Sequence, residues 1–244
     1  MSEESPQNVA KSVAESNPFE QPGEYGDEIT ITFEHNEKLY VSKVFLRHIS
    51  SVFKTMFKCH CVEVNSFSLE ITDFNKDDFL EFLLCCYPGT LKRLNINNVL
   101  YVVPIAHKYD VRPLVQESKV LLGAFLTECS KLAKKQLEPT QISSIKVCLQ
   151  ILQTANHLDF CEITDQAIRT ISQFSSFIYL ISDTDKEKIL GYVDEPDEDP
   201  KYVRRPIGDN RQCLAIFNEL PSDIRIKIMK ERLIEKEDDD WFIF

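Results

Sequence analysis

The most constraining stretch of this sequence is the run from Val41 to Phe57, which is too apolar to pack on one side only. Its large apolar residues recur at helical spacing: Phe45, Leu46, Ile49, Val52, Phe53, Met56 and Phe57. At about 100° per residue they form a wide stripe, so the run is predicted to be helical and covered on more than one side. Ser42 is predicted to cap the first turn, and Ser50 with Ser51 to divide the run into two short helices.

Strands are predicted on both sides of this helix pair. Three segments alternate between apolar and polar residues and predict half-buried strands, at residues 29–33, 39–41 and 67–71. The turn between the first two strands contains Asn36, which tolerates a positive φ. The order is therefore strand, strand, helix pair, strand.

Helical spacing dominates the remainder of the chain. Helices are predicted around residues 79–87, 97–106, 112–125, 142–157, 162–174 and from 220 onward. Pro104 lies inside the second of these, so we expect a kink or a late start there. Residues 127–141 are predicted to be a charged connector. The last helix is predicted to bury Ile224, Ile228 and Leu233 along one face.

Composition excludes several classes of partner. The chain has 244 residues, 43% apolar and 27% charged, with a net charge of −11, which is ordinary for a globular protein. The negative charge argues against nucleic-acid binding, which needs a basic surface. Because no apolar run reaches about 18 residues and the N-terminus is acidic and polar, no membrane span or secretory signal is predicted. The predicted location is cytoplasmic or nuclear, with the eight cysteines as reduced thiols.

The spacing of the cysteines, histidines and glycines does not predict an active site or a metal site. Cys59-His60-Cys61 is the one cluster of metal-ligand type, but structural zinc usually takes two spaced pairs, and the other cysteines supply no second pair. The six glycines form no phosphate loop, dinucleotide fingerprint or nucleophile elbow. We therefore predict no catalytic, cofactor or metal site, and a chain that is not an enzyme.

Between Asp27 and Leu114 the chain contains residues of the types and spacings that characterise one known domain family. Ten of them lie in the second predicted strand and the helix pair that follows it: Leu39, Val41, Ser42, Lys43, Phe45, Leu46, Ser50, Phe53, Met56 and Phe57. The later matches are Cys86–Leu91 at the end of a helix, and then Ala106, Tyr109, Val111 and Leu114. On these residues the chain resembles the BTB/POZ family, although Ser42 stands where the family usually has histidine.

The resemblance implies an α+β fold with a small three-stranded sheet flanked by helices, followed by a mostly α-helical C-terminal region. The predicted organisation is a flexible tail at 1–26, a BTB/POZ domain at 27–125, a helical extension at 126–193, an acidic linker at 194–200 and a divergent region at 201–244. That last region is predicted to carry one helix and an acidic, aromatic tail, which either docks on the chain's own core or serves as a short motif for a partner.

The resemblance also implies a function. BTB domains are non-catalytic interaction modules that usually self-associate, and many bind the third cullin and bring substrates to a ubiquitin ligase. Cullin-binding members carry an apolar-x-Glu tripeptide, and Cys61-Val62-Glu63 lies at that spacing, although Glu63 could equally be a solvated loop residue. The implied cullin-binding residues are Phe57, Cys61, Val62, Glu63 and Tyr109.

Self-association has its own rationale in the sequence. The stripe in 44–53 is wider than one core face uses, so it is predicted to be covered by a second copy in a homodimer or by the chain's own tail. The predicted interface residues are Asp27, Lys43, Phe45 and Ile49. The leading hypothesis is a cullin adaptor for an unidentified protein substrate. The alternative is a self-associating scaffold or transcriptional regulator that does not bind cullin.

Overall fold

The structure is a computed structural model that describes residues 17–23, 26–58, 68–90, 92–133, 140–174 and 207–240. It confirms the predicted α+β class, because the described residues form a three-stranded sheet and are otherwise mostly helical. The chain divides into two compact units after Leu84. The strands are β1 (Glu28–Thr32), β2 (Lys38–Ser42) and β3 (Ser68–Glu70). The helices are α1 (Lys43–Ile49), α2 (Ser51–Met56), α3 (Lys76–Cys86), α4 (Val99–Lys108), α5 (Arg112–Ala133), α6 (Thr140–His157), α7 (Cys161–Gln173), α8 (Ile207–Glu219) and α9 (Ser222–Asp240).

The sheet in the first unit has the order β2-β1-β3. β1 pairs antiparallel with β2, and β1 pairs parallel with β3. Ile31 lies opposite Leu39 on one side and Leu69 on the other. The turn between β1 and β2 places Asn36 at φ 61°, as its sequence predicts, and His35 at φ 59°.

Two serines divide the apolar run into α1 and α2, as predicted. The Ser42 hydroxyl accepts a hydrogen bond from the Phe45 N–H at 3.2 Å, and the Ser50 hydroxyl accepts one from the Phe53 N–H at 3.0 Å. Ser50 is extended, with φ −136° and ψ 128°. An extended residue cannot continue a helix, so the chain turns a corner there and each new helix begins with a satisfied N–H.

An aromatic cluster fixes α3 within the first unit. The Phe79 ring lies 5.5 Å from the Phe33 ring and 5.4 Å from the Phe82 ring, centroid to centroid. All three side chains are buried. Phe33 directly follows β1, so the cluster joins α3 to the end of the central strand.

The second unit is helical in its described part, and the connector expected at 127–141 is wrong in its first half. α5 continues without interruption to Ala133. Its buried stripe includes Leu122, Leu126, Cys129 and Ala133, which keeps helical spacing under the charged residues. α4 begins at Val99 with Pro104 in its interior, so of the two expected effects of this proline the late start does not occur, and the kink stays a prediction.

The C-terminal region holds two helices, α8 and α9, where the sequence analysis predicts one. Among the described side chains of α8, Cys213 and Phe217 are buried in the core and Ile216 packs against it. This short apolar pattern at helical spacing was missed in the sequence analysis. α9 buries Ile224 and Ile228 as predicted, but the third buried position is Arg232. Leu233 is 65% exposed, because it lies five residues after Ile228 and therefore faces away. None of the described helices is both long and apolar enough to cross a membrane.

Candidate protein-interaction site

Helix α1 leaves most of its apolar side chains at least partly exposed. Leu46 is buried, whereas Phe45 and Ile49 are half-buried and Val44 is 62% exposed. We call Val44, Phe45 and Ile49 the α1 face. Phe45 and Ile49 were predicted as interface residues from the stripe. Val44 was not singled out, although its place in an apolar helix of only seven residues is a usable signal.

Asp27 holds the start of α1 against the start of β1. Its carboxylate accepts hydrogen bonds from the Ser42 hydroxyl at 2.5 Å and from the Val44 N–H at 3.0 Å. The Lys43 N–H donates to the Asp27 carbonyl at 3.0 Å. The Ser42 hydroxyl first, and then the Val44 N–H, keep the pKa of the Asp27 carboxyl below its ordinary value. Asp27 therefore acts on the α1 face by positioning it.

The N-terminal segment 17–23 docks on this part of the molecule, which corrects the prediction of a flexible tail through residue 26. Phe19 is 4% exposed and its ring stacks on Phe45, with centroids 6.3 Å apart and planes at 21°. Its carbonyl accepts a hydrogen bond from the Tyr40 N–H at 2.8 Å. Composition alone suggested a tail, and the lone phenylalanine after Asn17-Pro18 was the missed signal.

Phe57, a predicted cullin-binding residue, is in contact with Lys43, a predicted residue of the dimer interface. The Phe57 ring stacks on Phe53, with centroids 6.0 Å apart and planes at 12°. The Lys43 ammonium nitrogen lies 5.3 Å from the Phe57 centroid, within the range of a cation–π contact. Phe57 is half-buried, so its ring is held by these contacts and remains partly accessible.

The other predicted cullin residues are either outside the described residues or in the second unit. Cys61, Val62 and Glu63 lie outside the described residues. Tyr109 belongs to the second unit and is 4% exposed, with its N–H donating to the Ile105 carbonyl at 3.0 Å. Its side chain therefore offers little surface, and we assign it to the support of the turn between α4 and α5.

Helix α7 of the predicted extension packs tightly on α5. The Gln166 side-chain amide donates to the Gly123 carbonyl at 3.0 Å, and the Ser130 hydroxyl donates to the Gln173 side-chain oxygen at 2.5 Å. A Cβ atom on Gly123 would lie 3.4 Å from Gln166 and 3.6 Å from Ile163. Both distances are ordinary van der Waals contacts with side-chain ends, so the packing of the two helices does not require glycine at this position.

Arg232 fastens α9 to the end of α7. One terminal nitrogen of its guanidinium donates to the Ser172 carbonyl at 2.6 Å and to the Phe174 carbonyl at 2.7 Å. The last carbonyls of a helix lack partners within it, and a cation there also interacts favourably with the helix dipole. Sequence reasoning missed this residue, since an arginine in a buried stripe gives no apolar signal.

Most described cysteines of the second unit are buried or half-buried, whereas Cys161 is exposed. Burial, with Cys85 beside it, raises the pKa of the Cys86 thiol to about 12, so this thiol stays protonated near neutral pH. Among the described residues no group of His, Cys, Asp and Glu has the arrangement of a metal site. Cys59, His60 and Cys61 lie outside those residues.

Comparison with known families agrees with this architecture. A sequence model of the BTB/POZ domain matches residues 17–126. These residues form a BTB/POZ domain. The match begins at the docked segment that contains Phe19 and ends within α5, so the BTB domain includes residues that composition assigned to a tail. BTB domains are interaction domains and not catalytic ones, and the chain therefore carries a protein–protein interaction module.

One curated relative has a similar BTB segment. The chain is 30% identical over 91 residues to BTB and MATH domain-containing protein 38 of Caenorhabditis elegans. The aligned part is 37% of this chain and 23% of the relative. The similarity therefore spans about a quarter of the relative and does not extend to its whole architecture.

Proposed function

We propose that this chain self-associates through the α1 face of its BTB domain and acts as an adaptor that brings a protein substrate to a cullin-based ubiquitin ligase. The observation that carries the proposal is the BTB domain whose last helix, α5, packs against helix α7 of the helical extension. The proposed location is the cytoplasm, the nucleus or both. Substrate recognition is assigned to residues outside the BTB domain.

The α1 face supports self-association because its apolar side chains stay partly exposed after the domain has folded. Phe19 covers one side of Phe45, yet Phe45 remains half-buried and Val44 is open. Complete burial of a side chain such as valine or phenylalanine is worth about 1.5–3 kcal/mol. In a two-fold dimer each such residue is buried twice, once on each copy.

Val44→Lys is expected to abolish or strongly weaken this dimer. Two copies of the new ammonium group would meet across the two-fold axis, where burial of an unpaired charge is costly. Sedimentation velocity of the full chain should show a shift from dimer to monomer. Val120→Lys is the matched control, since Val120 is 64% exposed on α5. An unchanged dimer in Val44→Lys would contradict self-association through the α1 face.

The end of α2 supports the cullin contact. Phe57 presents a partly exposed ring that Phe53 and Lys43 hold in place. In the sequence it lies four residues before Cys61, the first residue of Cys61-Val62-Glu63. A fixed aromatic ring beside an apolar plug is a common form of interface anchor. Glu63 adds a carboxylate that can accept hydrogen bonds from a partner.

The test is a binding titration of the full chain against the N-terminal domain of the third cullin. We expect a dissociation constant of about 1 μM or tighter, weakened about tenfold or more by Glu63→Ala and by Cys61→Asp. Glu37→Ala, at an exposed turn residue, is the control. Absence of binding by a chain that still dimerises would contradict the adaptor function and support the scaffold alternative.

A further inference from the structure

Helix α9 has a group of exposed apolar side chains on its outer side, which faces away from the core. Its inner side buries Ile224 and Ile228. On the outer side Ile226, Leu233 and Ile234 are 53%, 65% and 55% exposed. Among the described residues seven large hydrophobic side chains are exposed, and these are three of them. Such a concentration on one helix is typical of a surface that another segment covers.

An apolar segment follows this helix directly in the sequence. Trp241-Phe242-Ile243-Phe244 comes after Asp240, the last residue of α9, and has no charged side chain. These four residues lie outside the described part of the structure. From the sequence two roles are open for them, docking on the chain itself or binding to a partner. Their position and their reach favour the first.

The end of α9 lies on the same side of the helix as Leu233. A helix turns about 100° per residue, so the step from Leu233 to Asp240 returns the backbone to within about 20° of its starting direction. At a rise of about 1.5 Å per residue, Leu233 lies about 10 Å back along the axis from Asp240, and Ile226 about 21 Å. Four extended residues span at most about 14 Å. By turning back they can therefore reach Leu233 and Ile234, but not Ile226.

The last turn of α9 would be stabilised by such a contact. The acidic run Asp238–Asp240 is unfavourable at this end of a helix, where the unpaired carbonyls carry partial negative charge, and no basic residue lies in the turn. The helix nevertheless continues to Asp240. Packing of an apolar segment on its outer side would offset this electrostatic cost, since most helical stability in proteins comes from tertiary packing.

We propose that residues 241–244 turn back at the end of α9 and pack on its outer side, where they cover Leu233 and Ile234. The contact is intramolecular, because the covalent link keeps the segment at a high effective concentration beside these two side chains. While the contact holds, neither the aromatic segment nor the pair of side chains is available to another protein. The contact depends neither on the α1 face nor on cullin binding.

The fluorescence of Trp241 tests the proposal, because it is the one tryptophan of the chain. In the unmodified chain its emission should be blue-shifted, and acrylamide should quench it less, relative to the chain unfolded in urea. The double variant Leu233→Asn and Ile234→Asn should shift the emission to the red and raise the quenching constant towards the unfolded value. Asparagine adds no charge beside the acidic run. Far-ultraviolet circular dichroism should not change, since both positions are exposed.

Ile226→Asn is the matched control, because Ile226 lies on the same side of α9 but outside the reach of the segment. It should leave the emission and the quenching constant unchanged. A red shift in Ile226→Asn, or an emission that depends on protein concentration, would indicate another occupant such as a second copy and overturn the proposal. Quenching of the unmodified chain as strong as in urea, or no change in the double variant, would overturn it as well.

Deletion of residues 241–244 provides a second measurement that does not use tryptophan. Amide hydrogen exchange should increase from Leu233 to Asp240, because the end of α9 loses its cover. It should stay the same around Ile224 and Ile228, which are buried in the core. Equal exchange of the last two turns in the deleted and unmodified chains would contradict the proposal.

Discussion

Replacing Phe79 by alanine should lower the free energy of unfolding of the first unit by about 3–5 kcal/mol. The ring is fully buried and contacts both Phe33 and Phe82, so truncation leaves a cavity at the junction of β1 and α3. Urea denaturation followed by circular dichroism measures the loss. Hydrogen exchange should show that β1 and α3 lose protection together.

Two further substitutions in α3 make this result specific. Phe79→Leu should cost about half as much, since it removes fewer buried atoms and leaves a smaller cavity. Asp77→Ala, at an exposed position of the same helix, should change stability by no more than about 0.5 kcal/mol. Equal losses for Phe79→Ala and Asp77→Ala would contradict a structural role for the aromatic cluster.

Replacing Arg232 by alanine should destabilise the second unit by about 2–4 kcal/mol and release α9 from α7. The substitution removes two hydrogen bonds and leaves the Ser172 and Phe174 carbonyls without this donor. Buried carbonyls that lose their donor cost more than the loss of an exposed hydrogen bond. Hydrogen exchange should increase in α9 and at the C-terminal end of α7.

Lys230→Ala is the matched control for Arg232, because it removes an exposed cation two residues away on the same helix. Its effect on stability should stay within about 0.5 kcal/mol. Arg232→Lys retains the charge and should recover part of the loss if its shorter side chain reaches one carbonyl. If Arg232→Ala left the exchange of α9 unchanged, the contact with α7 would not be what holds this helix.

Phe79 also determines whether the α1 face is presented, because it stabilises the unit that carries this face. A loss of association in Phe79→Ala would therefore be indirect, which is why the interface test uses the exposed position Val44.

Local features of the chain were predictable because their causes lie within a few residues. Ser42 and Ser50 each bond an N–H three residues ahead, so their effect on α1 and α2 depends on no distant partner. The alternation in β1 and β2, and the positive φ of Asn36, have the same local origin. The resemblance to the BTB family rested on these segments and is confirmed by the match to residues 17–126.

Two segments have sequences that are compatible with either an ordered or an irregular structure, and tertiary contacts decided between the two. Charged residues after Phe125 suggested a connector, but the buried stripe through Cys129 and Ala133 keeps α5 helical. Phe19 in a polar segment becomes buried only because Phe45 and Tyr40 are there to receive it.

Helix α9 shows most clearly how far the sequence alone predicts which residues are buried. Its sequence alone predicts that the segment is helical and buries Ile224 and Ile228 along one face. It does not determine the third buried position, since Leu233 is the more apolar residue and Arg232 the one that docks. The carbonyls of Ser172 and Phe174, 60 and 58 residues away, select Arg232. Burial of a charged group depends on the partners that satisfy it, and only the folded chain brings those partners within reach.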